Sequence, residues 1–279
     1  MQGKTVVVTG GTSGIGEVAA LRLAEKGARI VLIARDQARA AATLAKLKNA
    51  NPSVAHTAHY GDLSSLAEMK RVAGEVAAAE PRIDVLVNNA GAVFASRAVT
   101  AEGLEHTFAL NHMSYFVLTA GLLERLMAAA PSRIVNTASN AHRRGHIDFN
   151  DLQSARSYRA FAVYGTSKLC NILFTRELAR RLAGRGVTAN SFTPGFVATR
   201  FGDQAGGLYA AGVRFAKLFA DKPEKGAETL VYLATSPEVA NISGQFWQNC
   251  RPGTLSAEAQ DDAVAQRLWL VSERISGVG

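Results

Sequence analysis

Tyr164-Gly-Thr-Ser-Lys168 places a phenol and an amine four residues apart, the interval that brings both onto one face of a helix. An ordinary tyrosine, with a pKa of about 10, is only ~0.1% ionised at neutral pH and exchanges protons poorly. Neighbouring positive charge stabilises the phenolate, and lowering that pKa by ~2 units takes about 2.7 kcal/mol of differential stabilisation. Partly desolvated charges reach that magnitude, so the pair is a candidate general acid–base at a hydroxyl or carbonyl. A bare pair at this spacing also occurs on ordinary solvated helices, so other polar outliers must supply the context. Ser139 ends the run Arg133-Ile-Val-Asn-Thr-Ala-Ser139, and Asn111 interrupts the apolar stretch Phe108 to His112, where packing would prefer Leu. Pro194-Gly-Phe-Val-Ala-Thr199 adds a rigid turn followed by a hydroxyl.

The segments that must position these groups alternate between two hydrophobic periods. Thr5 to Thr9 reads as a strand buried on both faces, followed by a helix over Ile15 to Lys26 that Gly27 ends. Arg29 to Ala34 predicts a second strand, Asp36 to Leu47 a helix, His56 to His59 an edge strand and Ser64 to Ala78 a helix. Asp84 to Val87 is a fourth strand, and Gly103 to Met127 is one long helix or two joined ones. Arg133 to Thr137, Tyr164 to Leu182 and Val187 to Phe192 continue as strand, helix and strand. Such alternation demands right-handed crossovers, and one doubly wound parallel sheet of α/β class, with helices on both faces, is the economical architecture. With no linker, repeat or low-complexity tract, residues 1–279 are expected to form a single domain. Residues 200–220 break the rhythm with glycines among aromatic and apolar residues, which predicts a lid over a pocket.

Thr9-Gly10-Gly11-Thr12-Ser13-Gly14-Ile15-Gly16 falls between the first strand and the first helix, where glycines let backbone amides approach a pyrophosphate. At the end of the second strand, Ala34 occupies the place of a ribose-binding acid and Arg35 follows it. A guanidinium there favours the 2′-phosphate of NADP(H). The alternatives are a solvated Arg35 with Asp36 capping the next helix, or a register in which Asp36 binds the ribose of NAD. Asp62, before Leu63, is a candidate for the adenine amino group or a helix cap. Asn88, Asn89, Ala90 and Gly91 pass beneath a cofactor, where the two amides either touch it or brace the strand ends.

Composition narrows the function classes. Lys plus Arg number 31 against 23 Asp plus Glu, a net charge of +8, but the basic residues are dispersed. That favours a basic surface around an anionic cofactor over nucleic-acid binding. Two cysteines and six histidines form neither a disulfide framework nor a metal-ligand pattern, so no metal is expected and a reducing cytoplasm is the simpler compartment. No signal peptide, transit peptide or membrane anchor is expected. His142, three residues after Ser139, either borders the substrate or is a solvated loop residue. Phe94, Phe149, Tyr158, Phe201 and Tyr209 are candidates for an apolar pocket, while Trp247 and Trp269 serve packing or a subunit contact.

Taken in order, Thr9 to Gly16, Asp62-Leu63, Asn88 to Gly91, Asn111, Ser139, Tyr164, Lys168 and Pro194 to Thr199 resemble the short-chain dehydrogenase/reductase family over nearly the whole chain. Ala34-Arg-Asp36, Ser139-Asn-Ala-His142, Ser167 to Phe174 and Gln266 to Ser272 are most similar to its retinol dehydrogenase and WW-domain oxidoreductase branch. The resemblance implies Tyr164 as general acid in reduction or base in oxidation, and Lys168 as the group that lowers its pKa and binds the nicotinamide ribose. It implies Ser139 as the holder of the substrate oxygen and Asn111 as the residue that steadies a proton-relaying water. Pro194, Gly195, Thr199 and the backbone near Val197 would flank the carboxamide. The stretch between Ser139 and Tyr164 is longer than in many family members, which concerns pocket shape. The expected activity is hydride exchange between NADP(H) and a small-molecule alcohol/carbonyl pair, probed best with lipophilic substrates, in a chain that forms a homo-oligomer through its long helices. The competing readings are a nicotinamide-binding sensor or scaffold without turnover, and a dehydratase or epimerase on a related fold.

Overall fold

The computed structural model describes residues 1–195 and 222–278, so the expected lid at 200–220, and Val197 and Thr199 with it, lie outside the described residues. The first six strands are β1 (Thr5–Thr9), β2 (Arg29–Ala34), β3 (Thr57–Tyr60), β4 (Val85–Asn88), β5 (Ser132–Thr137) and β6 (Val187–Thr193). A short pair, β7 (Phe246–Gln248) and β8 (Arg251–Pro252), completes one eight-stranded sheet of order β3-β2-β1-β4-β5-β6-β7-β8. Every neighbouring pair is parallel except β7 with β8. The order reverses between β1 and β4, which opens a crevice at the carboxyl ends of those strands.

Strand alternation explains the two layers. Val6 and Val8 face one core with Ile30 and Leu32, whereas Val7 faces the other with Val31 and Ile33. The first core is closed by α1 (Gly14–Glu25), α2 (Gln37–Ala50) and α7 (Pro223–Thr235), through residues such as Leu23, Leu47 and Leu230. The second is closed by α3 (Leu66–Ala79), α5 (Ser114–Ala128), α6 (Ala160–Arg181) and α8 (Asp262–Ser276). Strands with apolar residues on both faces are what a parallel sheet covered twice requires.

The long segment predicted over Gly103 to Met127 begins later, as α4 (His106–Phe108), and passes through a π-helical turn (Ala109–Met113) into α5. Such turns often mark functional positions, and this one carries Asn111. Helix α6 starts at Ala160, one turn before the predicted Tyr164, so the tyrosine sits inside the helix. Trp269 of α8 stacks on Phe174 with centroids 5.8 Å apart and meets Phe116 edge-on at 5.0 Å. Its role is therefore packing between α8, α5 and α6.

A run of buried amides crosses the sheet. Asn88 Nδ2 donates to Asn136 Oδ1 at 2.9 Å and to Thr119 Oγ1 at 3.1 Å, and Asn136 Nδ2 donates to Thr175 Oγ1 at 2.9 Å.

Burial favours the neutral ring in half-buried His56 and fully buried His112. His56 Nδ1 accepts the Ile30 N–H while Nε2 bonds the Asn51 carbonyl, and burial lowers its pKa. His112, within hydrogen-bond distance of Ser272 Oγ at 2.9 Å, is pushed by burial down to about 3. Because the unfolded histidine titrates near about 6.5, below that pH the unfolded chain binds protons that the fold refuses. The contribution of neutral His112 is fully present above about 6.5 and falls by about 1.4 kcal/mol per pH unit as the pH drops toward about 3, while His56 acts in the same direction. Urea unfolding at neutral pH and at mildly acidic pH should show this slope, and His112→Gln should reduce it by one histidine's share.

Candidate active site

The crevice is lined first by the turn after β1. Gly10 takes φ +64°, and a Cβ on Gly16 would lie 2.2 Å from the Gly10 carbonyl oxygen. The turn therefore folds back on itself only with glycine. Ser13 precedes α1 in extended conformation and makes no side-chain cap, so the first amides of α1 keep their donors free of a capping side chain. With Thr12, Ser13, Gly14 and Ile15 all partly accessible, this is a surface that fits a pyrophosphate.

Strand β2 ends at Ala34 as expected, and Arg35 stands exposed just past it. Asp36 is spent elsewhere: its Oδ1 accepts the Arg39 N–H at 3.0 Å to cap α2, and its Oδ2 pairs with the Arg39 guanidinium at 3.3 Å. At the end of β3, Asp62 Oδ1 accepts both the N–H and the hydroxyl of Ser64, while Ser65 is the actual cap of α3 and Leu63 is buried.

The strand ends are tied together beneath the crevice. Thr9 Oγ1 accepts the N–H groups of Asn89 and Ala90 at 2.9 and 3.0 Å. Asn89 Nδ2 reaches the carbonyls of Thr9 and Gly10, and its Oδ1 accepts from Thr137 Oγ1. Asn88 and Asn89 thus brace β1, β4 and β5, and Asn89 offers a ligand chiefly its backbone. Thr9 was singled out as the start of the glycine turn, but its bracing of Asn89 and Ala90 was not anticipated.

Tyr164 and Lys168 come together on α6, both buried, with Lys168 Nζ 5.7 Å from the Tyr164 ring centre. The amine donates to the Thr137 carbonyl at 3.0 Å and also lies 5.6 Å from the ring centre of buried Tyr115, a neighbour the sequence did not suggest. Ser139, at the carboxyl end of β5, hydrogen-bonds the Tyr164 side chain. Burial dominates the electrostatics: it pushes Tyr164 up to about 12 against the lowering effect of Ser139, and pushes Lys168 down to about 7. In the chain alone burial thus opposes the depression expected from Lys168 and a bound nicotinamide cation together, because desolvation penalises phenolate and ammonium alike.

Asn111 lies beside this pair across Gly91. A Cβ on Gly91 would be 3.1 Å from Asn111 Oδ1 and 3.4 Å from Lys168 Nζ, a tight fit against the Asn111 amide. The Asn111 amide is itself engaged, accepting the Ala92 N–H and donating to the Ala92 carbonyl, each at 2.9 Å, and donating to Ser167 Oγ at 3.0 Å. Its side chain clamps the β4 exit onto α6. Pro194 and Gly195 follow β6 and are partly accessible. His142 is fully buried, not a solvated loop residue. Tyr158 donates to the Phe94 carbonyl at 2.8 Å, and Phe149 lies under the Arg267 guanidinium at 4.1 Å.

A glycine turn before an uncapped helix, an exposed arginine past β2 and a buried amine next to Gly91 together fit a phosphorylated dinucleotide. Among the described residues no group of His, Cys, Asp and Glu could hold a metal, and no helix is long and apolar enough to cross a membrane.

Comparison with known proteins agrees with this geometry. Retinol dehydrogenase 13 of Homo sapiens is 39% identical over 282 residues, covering 99% of this chain and 85% of its own length. A solved structure from Mycobacterium paratuberculosis superposes with a TM-score of 0.80 at 30% identity, covering 99% of this chain and 94% of its own. The Pseudomonas aeruginosa RhlG/NADP active-site complex superposes with a TM-score of 0.70 at 29% identity over 88% of this chain and 94% of its own. The sequence model of the family described as short chain dehydrogenase matches residues 4–206, and the chain belongs to that family of oxidoreductases, on its retinol dehydrogenase branch.

Proposed function

We propose that the protein is an NADP(H)-dependent oxidoreductase that exchanges a hydride with an alcohol/carbonyl pair on a lipophilic small molecule. The carrying observation is that buried Tyr164 and Lys168 share one face of α6 at the sheet's carboxyl edge, with partly accessible Ser139 hydrogen-bonded to the tyrosine. The bound nicotinamide supplies or accepts the hydride. In reduction, the Tyr164 hydroxyl donates its proton to the substrate oxygen, and the Ser139 hydroxyl donates a hydrogen bond to the same oxygen. Lys168, held on the Thr137 carbonyl, carries positive charge next to the phenol and restores its proton. Asn111 ties Ala92, next to Gly91, to Ser167, next to Lys168, and so holds the two sides of the site in register. The glycine turn, Ala90, Gly91, Pro194 and Gly195 would hold the dinucleotide, with Val197 and Thr199 completing its carboxamide site. The similarity to retinol dehydrogenases supports a lipophilic substrate. Two unpaired thiols, Cys170 and Cys250, suit a reducing compartment.

Arg35 favours the 2′-phosphate because Asp36, its competitor for the ribose, is already capping α2 and paired with Arg39. Arg35→Ala is expected to weaken NADPH binding by about 10- to 100-fold, the loss of a charge-assisted pair, while leaving NADH affinity nearly constant. Parallel fluorescence titrations with the two cofactors measure this; equal weakening of both would remove the assignment.

The activity itself is tested by following reduced-cofactor absorbance with nonanal and all-trans-retinal. Turnover of either supports the oxidoreductase reading. Tight NADPH binding with no turnover across aldehydes, ketones and quinones would instead support a sensor.

A further inference from the structure

Ser139 is held from two directions. Its Oγ accepts the Ala141 N–H at 3.1 Å, capping the short 3-10 helix Asn140–Arg144. Its carbonyl accepts the His142 N–H at 3.1 Å and meets the same residue's Nδ1 at 2.7 Å. A carbonyl only accepts, so Nδ1 carries the ring proton. In the neutral ring Nε2 is then an acceptor, and it takes the Ser256 N–H at 3.3 Å. Burial lowers the His142 pKa, in keeping with a neutral ring. The imidazole also meets Phe246 edge-on, with centroids 5.2 Å apart.

Ser256 belongs to the segment that the β7–β8 hairpin sends back across the site. Asn249 (φ +51°) and Cys250 (φ +57°) make that two-residue turn. The returning segment grips the Ser139 loop at three further places. Arg143 donates to the Thr254 carbonyl at 3.1 Å, Ile147 N–H to Glu258 Oε1 at 2.9 Å, and His146 Nδ1 lies 3.0 Å from Glu258 Oε2. On its other side the loop is seated on α6, because a Cβ on Gly145 would stand 2.5 Å from the Gly165 carbonyl oxygen, one residue past Tyr164.

We propose that His142 is a positioning residue: its neutral ring fixes the Ser139 backbone, and with it the Ser139 hydroxyl, by bridging Ser139 to Ser256 of the returning segment. This rests on the assignment of Ser139 to the substrate oxygen. The chain after the hairpin thereby becomes a splint for the active-site serine. A hydroxyl that must meet the substrate oxygen together with the Tyr164 phenol tolerates little displacement, and errors of about 1 Å cost rate without costing cofactor affinity.

Two substitutions separate the bonds. His142→Asn keeps a donor near the Nδ1 position and loses the acceptor for Ser256. His142→Gln extends toward Nε2 and loses the donor to Ser139. With nonanal or all-trans-retinal as substrate, H142Q is expected to lower kcat by about 10- to 100-fold, and H142N by no more than about fivefold. NADPH affinity by fluorescence titration should stay within about twofold for both, which also shows that each variant folds. In a Ser139→Ala background, H142Q should cost less than about twofold more, because the group it acts through is gone. Equal kcat for the two variants, a parallel loss of NADPH affinity, or a full additional loss in the Ser139→Ala background would each overturn the proposal. If Ser139→Ala retains full kcat, or the unaltered protein turns over neither aldehyde, the assignment of Ser139 fails and the inference falls with it. If Ser139→Ala is impaired while H142Q is not, only the inference falls.

Discussion

Tyr164→Phe is expected to lower kcat by about 10²- to 10⁴-fold, the range supplied by a positioned general acid, with little change in NADPH affinity. The substitution removes one oxygen from a buried ring and keeps the face that Lys168 Nζ approaches at 5.7 Å. The pH dependence follows from burial, which pushes the phenol up to about 12. Below that value the proton is on the oxygen, so carbonyl reduction should show no alkaline loss through the neutral range on account of Tyr164. Alcohol oxidation needs the phenolate and should quicken as pH rises. Both directions, measured with one substrate pair across neutral and alkaline pH, test the assignment. An oxidation rate that falls with rising pH would remove Tyr164 as the base.

Lys168→Met is expected to abolish most turnover and, at the same time, to stabilise the fold by on the order of 2 kcal/mol at neutral pH. The ammonium is enclosed, holds the Thr137 carbonyl, and is pushed by burial down to about 7. An unfolded lysine titrates near about 10.4, so between these values the unfolded chain binds a proton that the folded chain releases. Lysine therefore costs stability, increasingly as pH falls through that window and at a constant level below it. Methionine is of similar length and carries no charge to desolvate. Urea midpoints for the two proteins should differ most at neutral pH and converge as the pH approaches the unfolded value. A variant less stable than its parent at every pH would show that the Thr137 bond outweighs the desolvation of the charge.

Much of the frame was legible because its central strands are apolar on both faces and some helices carry a boundary signal, such as Gly27 after α1 and the capping side chain of Asp36 before α2. β1 and β2 fall at the predicted residues, and Asp36 caps α2. The hairpin strands Phe246–Gln248 and Arg251–Pro252 carry three and two residues, too few for a period to emerge. Chemistry concentrated at strand ends was legible as polar residues where packing would choose apolar ones, as at Ser139 and Asn111. What those polar atoms touch was not legible. Asn111 is occupied by Ala92 and Ser167, and Asn89 by Thr9, Gly10 and Thr137, contacts set by tertiary distance. His142 reads as a loop residue until Ser256 is folded over it, 114 residues later. The burial that raises the tyrosine pKa was not legible for the same reason, since spacing reveals a neighbouring cation but not the loss of solvent around both groups.

The amides that cross the sheet from Asn88 to Asn136 and Thr175 bear on how the chain avoids assembling wrongly. Valine, isoleucine and leucine are interchangeable partners, and a strand of them can pair one step out of place with modest penalty. Asn88 lies directly opposite Asn136 in the β4–β5 ladder. Sliding β5 by one residue would turn Asn136 to the opposite face and strand buried amides without partners, at about 1–3 kcal/mol apiece. The amides thus act as a gauge of correct assembly, rejecting neighbouring alignments of the strand that delivers Ser139 and leaving the serine a single address.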